Sequence, residues 1–421
     1  MGRILVYIQI LLLFIVGIQE MLTDSKSLQY LQDVNLIFLL LCCFQKGYKR
    51  LMRTIKRIWP ALIIVALLFA EGLISFLSND IKLTQYLWEV RTLFRFPLFL
   101  ICCISLLEYK DIFKFKKIFT YVFYINFIFS LYQYYILSVS GDNLGGIFGI
   151  GLGVNAPTLT FLSVYFAFLY RDLDYEIISI YRFIFDIVII LWITLFAEIK
   201  ALIFILPIIA CVQLLSNNRF TIKKTLMFSF VALAAVGLIE VYGKLYKQNT
   251  FTQEGVESYL SGGYGTGNEE IVDRSTAFMV IDYHFFSKTD NSRWFGIGMG
   301  GASDSQVFSS NDFHNKWHWT YYDWFMHSFM YLENGIIGVI LYLSFWFYFL
   351  FRFWRIRKEK RVYSPEIFLS LVVVAIISFF YNSSLRLNSS YLLYLCLSMP
   401  YLVKKRRINI HIAHEKNTVC R

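Results

Sequence analysis

The sequence predicts an all-α, polytopic integral membrane protein of about twelve spanning helices, with one large extracytoplasmic loop between helices 9 and 10. Three observations carry that prediction. The 421 residues are 57% hydrophobic and only 16% charged, with a mean hydropathy of +0.55, whereas globular domains hold about 45–50% apolar and about 25% charged residues. Apolar runs near spanning length recur along the whole chain. Lys and Arg gather in alternate connections between those runs. An aromatic share of 19% excludes disorder, which needs few aromatics and many charges.

A spanning helix needs about 20 mostly apolar residues. Runs of this kind occupy 4–18, 30–44, 58–77, 93–107, 118–138, 154–170, 183–197, 201–215, 224–243, 332–351, 366–380 and 386–403. The chain therefore divides into nine helices over 1–243, a loop over 244–331, three helices over 332–403 and a basic cytoplasmic tail over 404–421. The first run follows Arg3 and lacks a small-residue cleavage site, so it reads as a retained helix. Position 6 is Val6, which does not fit an N-myristoylation signal.

The positive-inside rule tests this map independently of hydropathy. With the N-terminus in the cytoplasm, the inner segments collect Arg3, the Lys46–Arg57 cluster, Lys110–Lys117, Arg171 and Arg182. Arg219–Lys224, the Arg352–Arg361 cluster and the Lys404–Arg407 run follow on the same side. Both termini are then cytoplasmic. The net charge of +11 reads as topology determinants facing anionic lipid, without nucleic-acid binding. One stretch needs a parity argument. Asp186 to Leu215 is interrupted only by Glu198 and Lys200, and as one helix of ~1.5 Å per residue it would be ~45 Å long against a ~30 Å core. Two short helices with a tight outward turn at Ala197–Lys200 keep the downstream basic clusters inside.

The loop 244–331 holds Trp294, Trp317, Trp319 and Trp324 and four of the six histidines. Loops longer than ~15 residues are usually functional or disordered, and only Tyr259–Gly267 looks flexible. Aromatic faces of this kind suit a membrane surface or sugar rings. Arg274 opens an apolar stretch with helical spacing. His327 stands just before a returning helix, where an imidazole can take a proton from a hydroxyl at neutral pH. Gly335 and Gly338 would let that helix approach a neighbour closely.

The Arg274 stretch, Phe295–Gly300 (FGIGMG) and the run His327-Ser328…Glu333-Asn334-Gly335…Gly338 resemble the O-antigen ligase and Wzy-type repeat-unit polymerase superfamily. Gly145–Pro157 (GGIFGIGLGVNAP) is similar to that family's glycine-rich segment, with Asn155 before a helix. Glu198-Ile199-Lys200-Ala201 stands where the family has a Ser-Arg-Gly turn; lysine there keeps the charge but loses the bidentate fork. The resemblance implies glycosyl transfer on the outer face of a bacterial cytoplasmic membrane. A glycan leaves undecaprenyl pyrophosphate for an acceptor hydroxyl, without metal, nucleotide sugar or other cofactor. It implies lipid-linked oligosaccharides as substrates, and a chain-length regulator and flippase of the same pathway as partners. The polymerase is favoured over the ligase because polymerases diverge most. The expected site is His327 as proton acceptor, with Lys200 and Arg274 on the pyrophosphate and Arg91 and Arg95 as further cations. Asn155 is read as a helix cap.

Other patterns are discounted. His314 and His318, four apart near Asp312 and Asp323, read as a surface-aromatic segment rather than a metal site. Asp172-Leu173-Asp174 lies in an inner loop too short for a nucleotide-sugar transferase. The seven cysteines show no zinc or disulfide spacing and read as packing residues. A twelve-helix flippase would show two similar halves, and none are visible. A polyprenyl-phosphate-sugar transferase would need a tight acidic pair in its first outer loop, where Glu20, Asp24 and Asp33 are spread out.

Overall fold

A computed structural model describes residues 1–23, 27–216, 222–246, 252, 255, 270–286, 292–305, 311–357 and 363–402. Asp24, Arg219, Tyr259–Gly267, the 358–361 part of the basic cluster and the 404–421 tail lie outside the described residues. The described chain is helical, and its only β feature is an isolated bridge between Leu144 and Ile150. The helices are α1 (Gly2–Thr23), α2 (Leu28–Ser78), α3 (Leu83–Leu106), α4 (Tyr109–Tyr135), α5 (Asn155–Asp174), α6 (Ile180–Phe196), α7 (Lys200–Ser216) and α8 (Ile222–Tyr246). Three short helices follow in the loop region: α9 (Ala277–His284), α10 (Ser292–Phe295) and α11 (Asp312–Trp317). The chain returns through α12 (Met326–Ile356), α13 (Pro365–Tyr381) and α14 (Ser390–Ser398). Five helical segments are long and apolar enough to cross a bilayer: Gly2–Thr23, Leu28–Gln45, Leu51–Ser78, Lys224–Tyr246 and Met326–Ile356. The protein is a membrane-embedded helical bundle.

The 51 residues of α2 would measure ~77 Å if straight, yet the helix folds back on itself. Asp33 in its first arm bonds Arg91 of α3 at 2.8 Å, and Phe76 in its second arm stacks on Tyr86 of α3 at 4.4 Å. Along a straight helix Asp33 and Phe76 would be ~65 Å apart, whereas Tyr86 and Arg91 are ~8 Å apart on α3. The two apolar arms therefore run as a hairpin, in keeping with the two segments read at 30–44 and 58–77.

The Asp186–Leu215 stretch is likewise two helices, α6 and α7, of 17 residues each. Glu198 adopts φ +50° in the turn between them, and the Lys200 amide donates to the Glu198 carbonyl at 2.8 Å. The centre of the bundle is α5, whose residues from Thr158 to Tyr170 are all buried, packed on α7 and α13.

Charged side chains pair at one end of the bundle. Arg3 binds Asp111 at 2.8 Å, Lys116 and Arg171 bind Asp172, and Lys224 binds Asp174 at 3.1 Å. Both carboxylates of the Asp-x-Asp pattern are thus ion-pair partners. At the far end of α4, ~40 Å away at helical rise, the glycine-rich segment tucks inward. The Gln133 side chain donates to the Gly146 and Gly149 carbonyls and accepts from the Gly146 amide, and Asn126 accepts from the Ile147 amide.

At Gly335 α12 breaks (φ 61°, ψ −165°). Gly335 lets the short helix α10 approach α12 closely, as expected of a glycine at a helix contact. A Cβ on Gly335 would sit 2.3 Å from the Trp294 backbone, and one on Gly296 would sit 2.3 Å from the Glu333 backbone. The two glycines let the strands of chain cross in contact. The break leaves the Leu332 and Glu333 carbonyls without helical donors, and the Ile297 and Gly298 amides supply them at 2.8 and 3.1 Å.

This joint predicts a measurable asymmetry between glycines. Gly335→Ala loses stability through the left-handed φ alone by about 1–2 kcal/mol, and the backbone clash adds to that. Gly237→Ala in α8, with open space around it, gains roughly 0.5–1 kcal/mol from helix propensity. Thermal midpoints of the detergent-purified variants, the first lowered and the second level or raised, check both.

Candidate functional site

Three segments far apart in sequence meet at the end of the bundle that carries the α6–α7 turn. Lys200 is the first residue of α7, Arg274 precedes α9, and His327 lies in the first turn of α12. Helix α12 begins at Met326, earlier than the hydropathy predicted, so His327 is on the helix and only 2% exposed. Its Nε2 is 3.0 Å from the Arg274 carbonyl oxygen. A carbonyl only accepts, so Nε2 carries the hydrogen and donates. The imidazole is packed among Phe278, Phe325, Phe379 and Phe380. It holds the Arg274 backbone in place.

The Arg274 guanidinium lies 4.8 Å from the Phe325 ring centroid and 4.7 Å from that of Tyr381. Flat aromatic faces stabilise a cation without neutralising it. Lys200 Nζ is 5.4 Å from the Tyr242 ring, and the Tyr242 hydroxyl donates to Glu198 Oε2 at 3.0 Å. Asp142 completes the group. Its Oδ1 accepts from the Asn155 side-chain amide at 2.6 Å, and its neighbour Gly141 abuts Glu198, where an added Cβ would stand 3.0 Å from Oε1. Asn155 therefore orients Asp142 and does not cap α5; the cap position is Val154. Lys200, Arg274, Glu198 and Asp142 share one electrostatic neighbourhood. Asp142 is exposed, while Glu198, Lys200 and Arg274 are half-buried. Although the Asp142 residue is exposed as a whole, its carboxyl is partly withdrawn from water beside Asn155 and Glu198. That, together with the Glu198 charge, pushes its pKa above the usual aspartate range; Lys200, Arg274 and Asn155 pull it back.

The other two expected site residues, Arg91 and Arg95, have partners of their own. Arg91 is an ion-pair partner of Asp33 and lies 4.3 Å over the Trp88 ring. Arg95 is 6% exposed, donates to the Arg386 carbonyl at 3.1 Å and packs on Phe96 and Tyr391. The partners of both come from α2, α3 and the chain around Arg386 and Tyr391. A lone arginine in an apolar setting finds the nearest carboxylate, carbonyl or ring.

A second polar cluster went unread in the sequence. Glu333 accepts from the Gly300 and Ala302 amides at 3.0 and 2.9 Å and contacts the Ser303 hydroxyl at 2.9 Å. Ser303 also contacts Glu89 at 2.6 Å, and Arg386 binds Glu89 at 3.1 Å while lying over the Phe329 ring. The Glu71 carboxylate accepts from Asn334 at 2.9 Å. Glu71, Glu89 and Glu333 are 4%, 0% and 0% exposed. The signal available was a carboxylate or arginine inside an apolar run, as at Glu71 and Arg386. These groups fasten the Phe295–Ser303 segment to α2, α3 and α12.

At the rim of this cluster the His314 Nδ1 and the Tyr322 hydroxyl are 2.9 Å apart, and Tyr322 donates to the Ala302 carbonyl at 2.7 Å. Among the described residues no three His, Cys, Asp or Glu side chains gather to hold a metal ion. No protein-family model matches the chain, and no curated protein matches it.

Asp323 beside that rim gives a pH signature. Burial pushes its carboxyl above the usual aspartate range, with Arg386 and His314 pulling it down. A folded pKa above the unfolded value contributes stability that is full below the unfolded pKa, near 3.8, and is lost as pH rises through the folded one. Asp323→Asn, neutral at every pH, is therefore at least as stable as wild type at pH 7, and its advantage shrinks toward pH 4. Melting curves across that range measure it.

Proposed function

We propose that the protein polymerises undecaprenyl-pyrophosphate-linked oligosaccharide repeat units into a surface polysaccharide, O-antigen or capsule, on the outer face of a bacterial cytoplasmic membrane. The reading takes the twelve apolar segments as spans with both termini in the cytoplasm. Two arrangements support it. The ion-paired end, with Arg3, Lys116, Arg171 and Lys224, carries the charges the positive-inside rule assigns to the cytoplasm. The opposite end carries Lys200 and Arg274.

The observation that carries the reading is the convergence of Lys200 and Arg274, 74 positions apart, in one half-buried group faced with aromatic rings. Glycosyl transfer from a lipid pyrophosphate breaks the bond between the anomeric carbon and a phosphate oxygen, so negative charge grows on the leaving group. Cations held beforehand in a poorly solvated setting stabilise that charge more than water does. Arg274 gives a planar fork for phosphate oxygens and Lys200 a point charge. His327 fixes Arg274 through the carbonyl contact, and the exposed Trp294, Trp319 and Trp324 offer faces on which sugar rings pack.

The test is complementation of a strain lacking this gene, with the polysaccharide ladder as readout. Arg274→Ala and Lys200→Ala each lose long chains while accumulating in the membrane, by roughly a hundredfold or more if each supplies an oxyanion-type contact. His327→Gln, whose amide still donates to the Arg274 carbonyl, keeps more activity than His327→Ala. Equal loss in both would assign the imidazole a proton-transfer role. Wild-type ladders from Arg274→Ala and Lys200→Ala would remove the site.

A further inference from the structure

We propose that Asp142 is the proton acceptor of this site, taking the hydroxyl proton of the incoming sugar. The inference rests on the polymerase reading above and deepens it. A general base must reach the hydroxyl within about 2.6–3.2 Å, directly or through one water. His327 is 2% exposed, its Nε2 donates to the Arg274 carbonyl, and its Nδ1, the nitrogen that could accept a proton, is buried. Glu198 is hemmed in, with the Tyr242 hydroxyl on Oε2 and Gly141 against Oε1. Asp142 alone of the three is exposed. Its Oδ1 takes the Asn155 amide, which fixes the carboxylate plane, while Oδ2 carries no hydrogen bond among the described residues.

The neighbours of Asp142 suit the role. Glu198 and Lys200 face it from the α6–α7 turn, Arg274 from the segment before α9, and Asn155 from α5; Tyr242 of α8 acts on Glu198. Asp142 thus stands beside the two cations assigned to the pyrophosphate, where nucleophile and leaving group must both lie. In the step, the hydroxyl proton of the acceptor sugar passes to Asp142 Oδ2 as the sugar's own hydroxyl oxygen bonds the anomeric carbon. The bond from the anomeric carbon to the phosphate oxygen breaks, and its electron pair leaves on undecaprenyl pyrophosphate beside Lys200 and Arg274. Asp142 then returns the proton to water. Its raised pKa brings it closer to the working pH, which strengthens a base.

The experiment uses membranes holding the full-length protein, incubated with lipid-linked oligosaccharide extracted from the deletion strain, with product length read on a gel. Asp142→Asn keeps the shape and an acceptor for Asn155. It is expected to lower the rate by about 10²–10⁴-fold at unchanged membrane abundance. The wild-type rate should fall as the medium is acidified, the residual Asp142→Asn rate should not, and Asp142→Glu should recover turnover with a displaced acid limb. Undiminished turnover by Asp142→Asn, while Arg274→Ala is inactive, overturns this inference and leaves the polymerase reading standing. Failure of wild-type membranes to lengthen the extracted lipid overturns both. Should Asp142→Asn not accumulate, the Asp142→Glu profile decides: an acid limb identical to wild type overturns the proposal.

Discussion

The arrangement of this protein depends on one constraint: backbone groups buried away from water must find partners inside the protein. Most of the chain meets it with continuous helix. Helix α12 does not, because Gly335 leaves helical geometry and frees the Leu332 and Glu333 carbonyls. The Phe295–Ser303 segment answers with its amides, two on those carbonyls and two more on the Glu333 carboxylate. A segment that would otherwise be a surface loop is thereby bound into the bundle. It fixes one end of the connection whose other end carries Arg274 and α9.

Charge follows the same logic in two ways. In the second polar cluster the deeply buried ionic groups are matched, as in the Arg386–Glu89 pair and the carboxylate of Glu333 ringed by donors. Breaking one partner of such a pair leaves a buried charge and costs about 3–5 kcal/mol, so these groups read as fasteners. The Lys200, Arg274, Asp142 and Glu198 group is different. Its members are half-buried or exposed, and the two cations rest against aromatic rings. Rings stabilise a cation through the negative face of the π system. Under the proposed reading, that difference in exposure sets the Lys200 and Arg274 group apart from the buried Arg95, while Arg91 is paired with Asp33.

Helix positions were legible from hydropathy because apolar runs near spanning length have few other outcomes. The split at Ala197–Lys200 was legible from length and charge parity together. The start of α12 was not, since His327-Ser328 is polar in composition but buried by Phe325, Phe379 and their neighbours from elsewhere in the chain. Lys200, Arg274 and His327 were picked out by motif, and the structure brings them to one place. Asp142 escaped because its relation to Lys200 exists only once the glycine-rich segment folds back under Gln133 and Asn126. For Arg91 and Arg95 the sequence marks an arginine near a helix end but does not reveal the contact to Asp33 or to the Arg386 carbonyl.

The composition of the site bears on how it would release its product. Two cations alone would hold undecaprenyl pyrophosphate tightly in an apolar setting, and tight product binding slows turnover. With Asp142 and Glu198 beside them, the group is near electrical neutrality before a ligand enters. On the proposed reading, arrival of the donor would make it negative, which would raise the proton affinity of the nearest carboxylate. Asp142 would therefore be a stronger base with the pyrophosphate in place and a weaker one with the site empty. After transfer, a protonated Asp142 would no longer oppose the product; losing that proton to water would restore its charge and repel the pyrophosphate. Carboxylates among phosphate-binding cations, which look self-defeating in a static count of charges, would in this way tie proton acceptance to donor binding and proton loss to release.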